Sequence, residues 1–270
     1  AGARSFAAAR QAAVQALCPG ADIAALLDKP NNNLAVEYCK AIIEQNVEMQ
    51  PIALPRQGAD HGQALTESAH AAFASASALR ALWAEGGAAA LAPYVPEKAL
   101  KLYKQAEYDG RYTDFAVMGH CELALLRAAC TEQAPFAAVR GVSEGLEHRL
   151  ENAVRETASL PALLDALTTV RYPRARMRRL AMDAALGYTA QTPALPPYLH
   201  LLGARKEALS LPGETALPLS HSLARLAREN ETCAQMAAAQ SRASDLGALC
   251  RTKPEPMGGI YRQKIIFLTN

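Results

Sequence analysis

Two groups of residues have the types and spacing to do chemistry. The first is Phe73-Ala74-Ser75-Ala76-Ser77-Ala78-Leu79-Arg80, where two serines among small residues open a helical run. The first turn of a helix carries unpaired N–H groups and a partial positive charge, so it accepts an anion. Small side chains let a phosphate reach that backbone. Ser77 and Arg80, at i and i+3, share one side of the helix, so a hydroxyl and a guanidinium can converge on one group. The same residues also fit a plain serine N-cap with a solvated arginine beyond it. The second group is Arg171-Tyr172-Pro173-Arg174-Ala175-Arg176-Met177-Arg178-Arg179, five arginines within nine residues on a chain of net charge +2. Such a band attracts a nucleic-acid backbone in a salt-dependent way, and Tyr172 can stack on an unpaired base. Read blandly, it is a core helix whose arginines lay their stems over apolar neighbours.

The elements that position the first group read as part of an α/β sheet fold. Ser5 can cap a helix in which Phe6, Ala9, Arg10, Ala13, Val14 and Leu17 recur at helical spacing, ending near Pro19-Gly20. A second helix follows the cap Asn31-Asn32-Asn33, with Leu34, Tyr38, Ala41 and Ile42 as its stripe. An extended segment then alternates Ile52 and Leu54 with polar or turn residues up to Arg56-Gln57-Gly58. The helix opening at Ser75 runs to about Gly86-Gly87. Ligands of such folds bind beyond the carboxyl ends of strands, where Arg56 and the Ser75 to Arg80 tip would meet. Asn31 or Asn32 offers an amide that both donates and accepts, as adenine or ribose requires. Taken singly, Asn31 to Asn33 are a turn and cap, and Arg56 a surface arginine.

The remainder, residues 101–270, reads as a mainly helical second domain after a first spanning 1–100. Ser143 can cap a helix carrying Leu146, Leu150 and Val154, and Ser159 another carrying Leu160, Leu163, Leu164 and Leu167. Pro173 fits the first turn of the helix bearing the arginines, with Met177, Leu180, Ala181 and Ala184 as its apolar stripe. Tyr198 to Leu202 and Ile260 to Leu268 read as short strands, and an alanine-rich helix lies between Glu229 and Leu249. Half of the 270 residues are apolar, enough for real cores, and the net charge alone does not argue for nucleic acid. No apolar run reaches membrane-spanning length and nothing reads as a signal peptide. Six cysteines without a Cys-x-x-Cys pair or histidines at ligand spacing read as reduced, mostly buried thiols of a cytoplasmic protein, with no metal site.

The order Ser-x-Ser-x-x-Arg resembles the helix-opening phosphate motif of the HIGH-type nucleotidyltransferases. Pro30-Asn31-Asn32-x-Leu34-x-x-Glu37-Tyr38, then Arg56-x-Gly58-Ala59 and Ala74 to Arg80, narrow this to the tRNA(Met) cytidine acetate ligases. Gly141-Val142-Ser143-Glu144-Gly145-Leu146-Glu147-x-Arg149 and Arg171-Tyr172-x-Arg174-x-Arg176 are similar to later motifs of that family, as are Pro196 to Gly203 and Ala243 to Leu246. Asn33, Ala35, Val170 and Pro173 depart from its usual residues.

The resemblance implies a partial nucleotidyltransferase (Rossmann-like) fold followed by a mainly α-helical tRNA-binding domain. It implies that Asn31, Asn32 and Arg56 bind ATP, accompanied by Mg2+, with Ser75, Ser77 and Arg80 at the phosphates and Arg80 the catalytic residue. Arg171, Tyr172, Arg174, Arg176, Arg178 and Arg179 would bind RNA. The implied reaction forms acetyl-adenylate from acetate and ATP, then passes the acetyl group to N4 of the wobble cytidine of elongator tRNA(Met). The family's His-x-Gly-His loop has no counterpart among His61, His70, His120, His148, His200 and His221. That loop is expected upstream of Ala1, in which case this chain alone would be inactive and hold ATP only in part. Two other readings stay open: a different adenylyltransferase of the superfamily, and a non-catalytic RNA-binding protein on the same fold.

Overall fold

The structure, a computed structural model, describes residues 6–19, 27, 30–54, 74–131, 133–208 and 215–268. Ser5, Arg56, Gln57, Gly58 and Phe73 lie outside the described residues. The rest falls into two compact units, one reaching Val95 and including Thr169–Arg171, the other comprising Pro96–Thr168 with everything from Tyr172 onward.

In the first unit, α1 (Phe6–Leu17) and α2 (Pro30–Glu44) are joined by an ion pair, Arg10 Nη1 to Glu37 Oε1 at 2.6 Å. Asn31 to Asn33 are not a cap before α2 but its first turn, because the helix already begins at Pro30, whose fixed φ suits an opening position. Residues 47–54 form no strand among the described residues, and Ile52 and Leu54 are exposed. Alternation made that segment look extended, but a strand needs a partner ladder, and no described segment supplies one. Helix α3 (Ala76–Gly86) ends at Gly87, whose φ of 66° lets its N–H turn back to Trp83 O. A 3-10 turn, Ala88–Leu91, packs against α3 and buries Ala88 and Leu91.

The second unit is built around four helices. After α4 (Glu97–Asp109) come α5 (Phe115–Ala129), α6 (Leu146–Glu156), α7 (Leu160–Leu167) and α8 (Arg174–Ala185). Asp114 starts α5, its carboxylate accepting from the N–H groups of Ala116 and Val117 at 2.8 and 3.1 Å. Ser159 caps α7 through the N–H of Ala162. Ser143 caps nothing: α6 opens after Gly145, and Glu144 and Gly145 take left-handed φ values of 57° and 78°. Two successive residues in that region turn the chain too sharply for a serine two positions earlier to reach the helix. The stripes meet in one core of Leu123, Leu126, Leu146, Leu150, Leu163, Leu167, Met177 and Leu180, with Phe136 closing one side. Burying a leucine of this kind contributes about 2 kcal/mol.

A second cluster of Tyr198, Leu223, Leu226, Cys233 and Ala237 lies under α9 (Leu223–Leu226) and α10 (Glu231–Leu249). Two parallel pairs of short strands accompany it: β1 (Leu199–His200) with β3 (Leu219–Ser220), and β2 (Gly203–Arg205) with β4 (Ile266–Leu268). Only Leu199–His200 of the expected strand from Tyr198 to Leu202 is strand, and β2 begins beyond it at Gly203. Of the expected strand from Ile260 to Leu268, Gly259–Arg262 is a 3-10 turn and only β4 pairs. The cysteines are all free, but only Cys233 and Cys250 are buried; Cys18 and Cys39 are exposed. Cys18 follows the end of α1 and Cys39 lies on an outward position of α2, which a composition-based reading does not see.

Candidate functional site

In the first unit, Ser75 is the N-cap of α3, with extended backbone (φ −69°, ψ 154°) and a buried side chain. Its Oγ accepts from Ala78 N at 3.2 Å and lies 3.0 Å from Ser77 Oγ. The N–H groups of Ala76 and Ser77, first in the helix, have no intrahelical carbonyl to bond. Ser77 therefore leans toward the cap rather than toward Arg80. Arg80, one turn on, is exposed and has no hydrogen bond or ion pair with a described residue. The helix tip so presents free donors, a serine hydroxyl and an uncommitted guanidinium. On α2, Asn31 is exposed and Asn32 half-buried, while Asn33 turns inward and donates from Nδ2 to Leu27 O at 2.6 Å. Arg56 lies outside the described residues.

In the second unit, α8 carries its arginines outward. Met177, Leu180, Ala181 and Ala184 are buried, and Arg174, Arg176, Arg178 and Arg179 are exposed. Arg174 is ion-paired with Asp165 of α7. Arg176 lies over the Tyr172 ring, 5.1 Å from its centroid, and Nη2 donates to Gly141 O at 3.4 Å. Tyr172 OH in turn donates to Glu144 Oε2 at 3.4 Å. Tyr172 is therefore covered by Arg176 on one face and also packs against the helical core. Arg179 has no partner among the described residues. Arg171, also exposed, sorts with the first unit.

The loop around Glu144 and Gly145 borders a groove of about 500 Å³ that Arg149 and Tyr172 also line. Arg149 Nη2 donates to Ala166 O at 2.7 Å, tying α6 to α7. The Ser-Glu-Gly-Leu-Glu stretch thus does structural work: its left-handed pair aims Leu146 into the core and Glu144 at Tyr172.

One residue had no place in the sequence reading. Glu122 on α5 is fully buried, both carboxylate oxygens lack a hydrogen-bond partner, and burial pushes its carboxyl up to about 7 against the pull of nearby Arg178. The signal was present: Gly119, Glu122, Leu123 and Leu126 are the i, i+3, i+4, i+7 positions that face the core. A carboxylate in that stripe belongs inside, not on a solvated face. Glu122 lies at a groove of about 620 Å³ between α5, α7 and α8, whose walls include Phe115, Met118, Leu160, Leu164 and Met182. Arg174, Arg178 and Arg179 also line it.

The chain belongs to the HIGH Nucleotidyl Transferase family, whose model matches residues 2–258. Within it, the chain is 30% identical over 186 residues to the tRNA(Met) cytidine acetate ligase of Listeria monocytogenes serovar 1/2a, covering 67% of this chain and 45% of that protein. The protein of the same name from Geobacillus sp. (strain WCH70) is 29% identical over 185 residues, covering 66% and 45%. The chain spans about half the length of the curated relatives it matches. Among solved structures, Thermotoga maritima TmcAL bound with alpha-thio ATP superposes with a TM-score of 0.80 at 20% identity, covering 98% of this chain and 67% of that one. The apo form gives 0.82 at 22%, covering 98% and 68%. These likenesses establish the fold. Among the described residues no helix is long and apolar enough to cross a membrane, and no three His, Cys, Asp or Glu side chains cluster to hold a metal.

Proposed function

We propose that this chain is part of an ATP-dependent tRNA(Met) cytidine acetate ligase acting in the cytoplasm. A carboxylate oxygen of acetate attacks the α-phosphate of ATP, the bond to the β-phosphate breaks, and pyrophosphate leaves. The N4 amine of the wobble cytidine in elongator tRNA(Met) then attacks the acetyl carbonyl, AMP departs, and one N–H proton is lost. No covalent enzyme intermediate is needed, so the protein's task is alignment and stabilisation of charge growing on phosphate.

The observation that carries this reading is the tip of α3, where Arg80 is uncommitted among the described residues beside an open first turn. Arg80 is assigned to the departing pyrophosphate, Ser75 and Ser77 to shaping the turn that receives it, and Asn31, Asn32 and Arg56 to the nucleoside. Mg2+ is read as part of the substrate, carried by ATP phosphate oxygens. The exposed arginines of α8, with Arg171 and Tyr172, are assigned to tRNA. The names of the Listeria and Geobacillus relatives support the same activity.

The test is acetate-dependent exchange of labelled pyrophosphate into ATP by the complete polypeptide, followed by acetyl transfer to elongator tRNA(Met). Exchange with acetate and transfer to this tRNA are expected. Exchange that needs no acetate would point to another adenylyltransferase, and tRNA binding without exchange to a non-catalytic binder.

A further inference from the structure

The groove between α5, α7 and α8 places three kinds of group around one space. Its wall is apolar, with Phe115 70% exposed at its mouth. Its floor holds Glu122, an acid with no hydrogen-bond partner for either oxygen. Arg178 and Arg179 also line it, and Arg179 is uncommitted among the described residues. A buried polar group left unpaired costs stability, so packing does not account for Glu122. Gly119, one turn before it, faces Leu160 of α7: a Cβ there would stand 3.4 Å from Leu160 Cβ, an ordinary contact distance.

An apolar slot with a hydrogen-bonding end and guanidinium groups nearby matches a flat heterocycle attached to a phosphate. We propose that this groove binds a single unstacked nucleotide, its base against the apolar wall, its pairing edge on Glu122, and its phosphate on Arg178 and Arg179. Flipped bases are held in this manner elsewhere, by stacking and by contacts to the Watson–Crick edge. The Glu122 oxygens are covered in the structure, so a bound base requires a lining side chain to move; Met118 and Met182, unbranched and pliable, are among those side chains.

A neutral carboxyl group pairs with any base edge that carries a donor beside an acceptor. The pairing strengthens where the acceptor is a basic ring nitrogen, because the proton can then shift toward the base and both bonds become charge-assisted. Cytosine and adenine have that edge; uracil offers a carbonyl oxygen instead. The charged and titratable groups around the acid are His120 on its own helix and Arg174, Arg178 and Arg179 from α8, with none from α7 among the lining residues.

The groove's chemistry stands on its own residues. That the nucleotide belongs to an RNA strand rests on the function proposed above. The test is calorimetric titration of the full chain with CMP, UMP and ribose 5-phosphate. CMP is expected to bind at least about tenfold tighter than ribose 5-phosphate and several-fold tighter than UMP. Glu122→Leu should reduce CMP to the level of ribose 5-phosphate. Glu122→Gln, which still donates and accepts, should bind CMP and UMP alike, without the loss of CMP affinity expected of the wild type between about pH 6 and about pH 8. Equal binding of CMP and ribose 5-phosphate, or a Glu122→Gln protein that keeps the preference for CMP, overturns the proposal. Neither outcome touches pyrophosphate exchange, so the two readings fail separately.

Discussion

Ser75 Oγ accepts the N–H of Ala78 and stands 3.0 Å from Ser77 Oγ, so the two serines that open α3 form one local hydrogen-bonded unit. The cap satisfies the N–H of Ala78 and leaves those of Ala76 and Ser77 without an intrahelical carbonyl. Ser75 is buried and Ser77 exposed, so Ser75 holds the turn while the Ser77 hydroxyl stays open to solvent.

Replacing Ser75 with Ala removes the cap and should cost about 1 kcal/mol. Trp83 lies on α3 and is the sole tryptophan, so its fluorescence reports unfolding of this region. The fluorescence-detected melting temperature of Ser75→Ala is expected to fall by several degrees. Ser77→Ala, which leaves the Ala78 bond intact, should move it far less.

Glu122 gives stability a pH dependence with a defined sign. Its carboxyl is raised from 4.5 to about 7, so the folded state holds the proton more tightly than the unfolded chain. Stability from this group is full below about 4.5 and is lost as pH climbs through about 7, by about 3 kcal/mol in all. Glu122→Gln should therefore melt higher than wild type at pH 8 and show little or no gain at pH 5. Equal curves at both pH values would mean that the carboxylate finds a partner in solution.

The arginines of α8 are unequal. Arg174 is partly neutralised by Asp165, whereas Arg179 is uncommitted among the described residues. Arg179→Ala should weaken tRNA binding and lower the salt slope by about 1, and Arg174→Ala should do less. Asp165→Asn, which releases Arg174, should tighten binding. Filter binding across a salt series checks all three.

Much of this was legible in the sequence because periodicity reports which way a helix faces. Met177, Leu180, Ala181 and Ala184 go inward and the arginines between them outward, as the spacing requires. Ser159 and Ser75 both cap as their positions suggest. Ser143 does not, because left-handed φ values at Glu144 and Gly145 move the helix start, and backbone of that kind is not written in side-chain pattern. Ile52 and Leu54 alternate like a strand, yet a strand is defined by its neighbour. Glu122 was overlooked since a single glutamate among leucines passes for a solvated position unless its phase in the stripe is checked.

The central claim is that the α3 tip handles the phosphates of ATP in an acetate-activating reaction. Its most direct test is acetate-dependent ATP–pyrophosphate exchange by the complete polypeptide carrying Arg80→Ala, with tRNA binding measured in parallel. The account predicts that exchange falls at least about a hundredfold while tRNA binding is unchanged, as expected for loss of one charge-stabilising contact. Exchange at the wild-type rate would contradict it.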